Sequence, residues 1–196
     1  MMLKSFVVAA LLLLPLASAR AEQEPAKTTP PAAQPAGDVP AAPTPPPAPT
    51  IEGKYRFVGG DKETKAVEEA IEKVVQEMLF IKRPIARGRL KDRNKVASSW
   101  TFTTAGGQIK SAAEGIMTWS SPENGSPADV KTSTGDDAKL SQKIAGNKLT
   151  QVFTTKEGKR ESIFTLGADG QTLTMDIVLV SEQLPIPLKY SLTYKK

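Results

Sequence analysis

The chain has 196 residues, with 26 Lys and Arg against 21 Asp and Glu, and neither Cys nor His. That length fits one domain with appendages. The missing side chains exclude disulfides, His- or Cys-ligated zinc and nucleophiles activated by an imidazole, and no Ser-x-x-Lys, Gly-x-Ser-x-Gly, Gly-x-Gly-x-x-Gly or P-loop spacing occurs. The reading is of a protein that is not an enzyme, has no cofactor or metal, and is held by ordinary burial.

Residues 1–21 read as a cleaved signal peptide. Lys4 gives the positive start, Phe6 to Ala17 is apolar apart from Pro15, and Ala17-Ser18-Ala19 or Ala19-Arg20-Ala21 supplies the small-x-small cleavage pattern. The apolar run falls short of the ~20 residues that span a bilayer. An uncleaved anchor is the alternative. Export would place the protein in a periplasm or outside the cell, and the absence of Cys fits a bacterial envelope.

Residues 22–50 are mostly Pro, Ala, Thr and Gln, with little beyond Val39 to bury. Such a segment cannot offset the entropy of ordering, so it is expected to be a disordered linker of polyproline-II character. It would be a spacer of up to ~3.1 Å per residue. A ligand for proline-binding modules is the sharper alternative.

Residues 51–196 form the expected domain. Strands are predicted at roughly 52–58, 85–91, 95–104, 108–119, 127–134, 138–145, 148–155, 160–166, 171–180 and 187–195, from period-two patterning. Leu188, Tyr190, Leu192 and Tyr194, for example, alternate with Lys189, Ser191, Thr193 and Lys195. Turn pairs such as Gly106-Gly107, Gly146-Asn147 and Asp169-Gly170 separate the runs and accept the positive φ that tight hairpins need. Between the first two strands the period changes. Val67, Ala70, Ile71, Val74, Val75, Met78 and Leu79 step by three and four, which predicts one helix over 61–82, capped by Asp61 and ended by Pro84. The fold class is therefore mainly β: an antiparallel meander of about ten strands closed into a barrel, with one lid helix between its first and second strands.

This order resembles the calycins, meaning lipocalins and especially the cytosolic fatty-acid-binding proteins. Gly53-Lys54-Tyr55 is similar to the Gly-x-Trp start of that superfamily, with Tyr in place of Trp. Leu192-Thr193-Tyr194 is similar to the Arg-x-Tyr that closes the fatty-acid-binding barrel and grips the ligand carboxylate. Leu192 stands where that Arg would be, so the resemblance implies a hydroxyl donor at Tyr194 and no carboxylate clamp. A single helix takes the place of the family's helix pair.

Barrels wider than about eight strands enclose space that side chains alone do not fill. The inward positions are mostly apolar and suit a hydrophobic or amphiphilic small molecule. The expected lining is Trp100, Phe102, Ile116, Phe164, Met175, Ile177, Tyr190, Leu192 and Tyr194. A packed core without a cavity, or an open curved sheet, is the alternative.

Charge is concentrated between Lys82 and Lys95, with seven basic residues and only Asp92 against them. On a strand, Arg87, Arg89 and Lys91 would share a solvent face, flanked by Arg83 and Arg93. These five are the expected portal and anion-binding residues. They would dock an anionic membrane surface or steer an anionic ligand. A charged edge strand protected from aggregation is the plainer reading. No aromatic interleaves the patch, so nucleic acid is not an expected partner, and the domain is expected to be a monomer. The first functional reading is an exported carrier of a lipid or other hydrophobic small molecule. The second is an envelope domain docking an anionic polymer, membrane or protein through the basic strand.

Overall fold

A computed structural model describes residues 50–196. The signal peptide expected over 1–21, and the linker expected over 22–50 apart from Thr50, lie outside the described residues.

Strand β1 (Gly53–Phe57) leads into helix α1 (Gly60–Gln76), a short 3-10 turn (Phe80–Lys82) and helix α2 (Arg83–Arg93). Nine strands follow: β2 (Ser99–Ala105), β3 (Gln108–Ala113), β4 (Met117–Pro122), β5 (Ala128–Lys131), β6 (Asp137–Ala145), β7 (Lys148–Thr154), β8 (Gly158–Leu166), β9 (Thr172–Ser181) and β10 (Leu188–Lys195). All ten strands form one antiparallel sheet in the order β4-β3-β2-β1-β10-β9-β8-β7-β6-β5. The sheet curls until its edges β4 and β5 approach each other. The Trp119 indole N–H donates to the Lys131 carbonyl at 2.8 Å, and Ser121 donates to Gln142 at 3.1 Å. With the Asn124–Lys143 bridge, these contacts make the barrel nearly closed.

The helical region corrects the sequence reading twice. The strand expected at 85–91 is part of α2, and one lid helix is a helix pair. Pro84 sits in the first turn of α2, where its missing N–H has no helical partner to lose, so it starts a helix instead of ending one. Ala86, Leu90 and Asn94 follow at steps of four and turn inward toward the barrel, while Arg87 and Lys91 meet Glu72 and Glu68 of α1. Helix α1 also ends early, at Gln76. Arg83 fastens that end by donating to the Met78 and Gln76 carbonyls at 3.0 and 2.7 Å. Its start has Gly59 at the cap, not Asp61, and Glu63 reaches across to the Thr193 N–H and hydroxyl at 2.6 and 2.7 Å.

The strand expected over 108–119 is two strands, joined by a turn where Gly115 takes a φ of 77°. One strand lost and one gained leave the count at ten. Tyr55, Ile109, Leu149, Phe164, Leu166 and Leu173 are fully buried inside the barrel. Val67, Ile71, Val74 and Val75 of α1 complete the core, with α1 packed mainly on β10.

Candidate ligand-binding cavity

The barrel is filled at one end and hollow at the other. Successive strand residues alternate faces, so the interior positions of β8 are Arg160, Ser162, Phe164 and Leu166, in register with Phe153 and Leu149 of β7. Depth increases along that series. Arg160 touches the end of α2, while Leu166 is wholly buried near the far turns. A cavity of about 1460 Å³ occupies the helix end. It is bounded by α2, by the 3-10 turn before it and by the loops that join β3 to β4, β5 to β6, β7 to β8 and β9 to β10. That volume exceeds the ~300–1,000 Å³ of a typical small-molecule site.

Of the expected lining residues, Trp100, Ile116, Met175, Tyr190, Leu192 and Tyr194 border this space. Ile116 does so from the β3–β4 turn. Phe102, Phe164 and Ile177 do not border it. Phe102 and Phe164 pack edge to face at 4.8 Å beneath Trp100, which stacks on Phe102 at 5.7 Å. Those rings fill the interior below the hollow. Tyr194 is a donor, but to the Ala97 carbonyl at 3.3 Å, and burial pushes its hydroxyl well above the ordinary tyrosine range.

The expected portal cations are mostly engaged inside the protein. Arg87 holds Glu72 through two contacts of 2.5 and 2.8 Å, and this hydrogen-bonded pairing lowers the Glu72 pKa and raises that of Arg87. Lys91 pairs with Glu68 at 3.3 Å. Arg93 bridges Asp136 at 3.1 Å and Glu157 at 2.9 Å, tying the end of α2 to two barrel loops. Only Arg89 and Arg93 of the five line the cavity, and Arg89 is exposed with no ion pair among the described residues.

Several residues at the site are not among the expected ones. Arg160 donates to the Arg93 carbonyl at 3.0 Å and to the Tyr190 hydroxyl at 3.3 Å. The Tyr190 hydroxyl in turn donates to the Asn94 side-chain oxygen at 3.1 Å, and the Asn94 amide donates to the Leu90 carbonyl at 2.8 Å. Arg160 opens the strand expected over 160–166, flanked by the charged Lys159 and Glu161, and its spacing of four from Phe164 places it on the inner face. Trp119 and Phe153 also line the hollow, their rings 5.3 Å apart. Deeper polar groups are neutral. The Ser162 hydroxyl and the Trp100 N–H are buried without a hydrogen-bond partner among the described residues. Gln151 donates to Ser111 at 2.8 Å.

Outside the mouth, the turn between the helices exposes Leu79, Phe80, Ile81 and Ile85, the last three 78%, 71% and 65% accessible. Ile81 and Ile85 also border the cavity, so this apolar tip is continuous with its entrance. No group of three or more Asp or Glu residues suited to a metal ion occurs among the described residues.

Ten antiparallel strands, nearly closed, with a helix pair between the first two, decide the architecture. The fold is calycin-like. No protein-family model matches the chain, and no curated protein sequence matches it. Solved structures similar to this calycin-like chain include a REP1-NXSQ fatty acid transporter, 15% identical, covering 74% of this chain and 94% of that one, with a TM-score of 0.45. A fatty-acid-binding protein from brain tissue of Drosophila melanogaster is 16% identical over 74% and 97% of the two chains, with a TM-score of 0.46. A Schistosoma mansoni fatty-acid-binding protein in complex with arachidonic acid is 18% identical over 74% and 93%, with a TM-score of 0.42.

Proposed function

We propose that this protein is an exported, non-enzymatic carrier that holds a lipid or another hydrophobic small molecule inside its barrel. The observation that carries the reading is the cavity of about 1460 Å³ walled by Trp100, Trp119, Phe153, Met175 and Leu192. An apolar chain laid against such walls leaves water, which is worth about 0.8 kcal/mol for each buried CH₂. Helix α2 and the turn before it form its lid, and the exposed tip at Leu79–Ile81 and Ile85 is the surface by which it meets an anionic membrane. Export rests on the leader at 1–21.

The second reading, an envelope domain docking through a basic strand, loses its feature because that segment is a helix whose cations are largely paired. Purification of the full-length protein from its own host, followed by native mass spectrometry, tests the carrier. Co-purified lipid released on denaturation is the expected result. A bare mass, together with no binding of a fluorescent long-chain fatty acid after delipidation, would rule the carrier out.

A further inference from the structure

We infer that the cargo is an anionic single-chain amphiphile, seated with its head on Arg160 at the mouth and its tail pointing to the closed end. This deepens the carrier reading and rests on it. Among the strand residues that line the cavity, Arg160 is the one cation. Its two terminal nitrogens are held by neutral acceptors, the Arg93 carbonyl and the Tyr190 hydroxyl. No carboxylate pairs with it among the described residues, whereas nearby Arg93 has two. A guanidinium carries five N–H donors in a planar fork, so Arg160 keeps donors for an anion in a direction its neighbours already fix.

Depth sets the orientation. Arg160 is the outermost interior residue of β8, in register with Phe153 and Leu179. At about 3.3 Å per residue, Phe164 lies about 13 Å farther down the strand. Trp119 packs against Phe153, beside Arg160, and stacks at 6.2 Å on Trp100, which in turn packs against Phe164 at 5.1 Å. The polar groups at depth, Ser162 and the Trp100 N–H, are neutral. Leu192 places a hydrocarbon on the inner face of the last strand. A charge-assisted hydrogen bond is about twice as strong as a neutral one, so the anion belongs at the mouth and the chain below it.

Trp100, on the Phe164 side of the hollow, reads this orientation. With Trp119→Phe as background in the full-length, delipidated protein, Trp100 is the single reporter. Long-chain fatty acids brominated at the tail end should quench Trp100 more strongly than those brominated beside the carboxylate. The reverse order would overturn the orientation. Arg160→Gln should weaken binding of a long-chain fatty acid by about tenfold and leave the long-chain alcohol of equal length unchanged. Arg160→Lys should recover part of the acid's affinity, which separates loss of charge from loss of fold. Equal affinity for acid and alcohol in the unsubstituted protein, or an indifferent Arg160→Gln, would overturn the anion assignment while the cavity still carried lipid. Binding of neither probe would remove the carrier reading itself.

Discussion

Asp169 shows how a fully exposed side chain is still specified by its turn. Its carboxylate accepts the Thr172 hydroxyl at 2.6 Å, the Thr172 N–H at 2.9 Å and the Gln171 N–H at 3.0 Å. Those bonds, the Thr172 hydroxyl first, lower its pKa from 3.8 to about 2. A depressed folded value stabilises the folded chain above the unfolded value, and the gain is lost as pH falls from about 3.8 to about 2. NMR titration of the side-chain carbonyl should therefore show Asp169 changing near pH 2, and in Thr172→Val the midpoint should rise toward 3.8. A midpoint near 3.8 in the unsubstituted protein would mean that these bonds do not form in solution. The Asp169-Gly170 pair announced this turn in the sequence, because turn chemistry is local. Arg160 was not legible in the same way. Its neighbours Lys159 and Glu161 are a surface pattern, and what turns it inward is its spacing of four from Phe164 along a strand whose register depends on partners far along the chain.

Among the elements, β7 to β10 were readable because one face of each is buried, so the alternation of apolar and polar residues is imposed twice over. Helix α2 was not. Arg87, Arg89 and Lys91 alternate with small residues as a strand would, and the helical pattern Ala86–Leu90–Asn94 has only one large apolar member. What makes it a helix is tertiary: Glu72 and Glu68 of α1 face it, and the barrel mouth lies under it. Arg93 then latches its end to the loops holding Asp136 and Glu157. Partly exposed pairs of this kind contribute roughly 0.2–1 kcal/mol each. Removing both with Arg93→Ala should weaken the latch by about 1 kcal/mol, which corresponds to about fivefold. The α2 amides should exchange hydrogen about fivefold faster, while those of β8 to β10 keep their rates. The Arg93 carbonyl that holds Arg160 is untouched by this change. Equal exchange in α2 before and after substitution would show that the pairs do not fasten the lid.

On the scale of the molecule, the sheet is stitched where its ladder stops. Ser111 accepts from Gln142 and Gln151 at 2.9 and 2.8 Å, and Ser121 donates to Gln142, so buried amides span the space between β3, β4, β6 and β7. The seam is thus held by neutral polar groups, and the helix end carries both the cavity and the apolar tip. Two forces could bring that tip to a membrane, and their sizes rank them. Lys82 and Arg89, exposed and without ion pairs among the described residues, offer about 1 kcal/mol each near an anionic surface. Leu79, Phe80, Ile81 and Ile85 offer roughly 1.5–3 kcal/mol each if fully buried, and less at partial depth. Insertion outweighs charge. Phe80→Asp should therefore abolish flotation with phosphatidylcholine vesicles containing phosphatidylglycerol, whereas Arg89→Gln should weaken it only about fivefold, and high salt should mimic the second change but not the first. Arg87 is a poor probe of docking, because its loss also breaks the contact with Glu72 that joins the two helices. If Arg89→Gln matched Phe80→Asp, the attraction would be electrostatic and the tip would not insert. If neither substitution changed flotation, the tip would not be the docking surface, and the entrance to the cavity would face water.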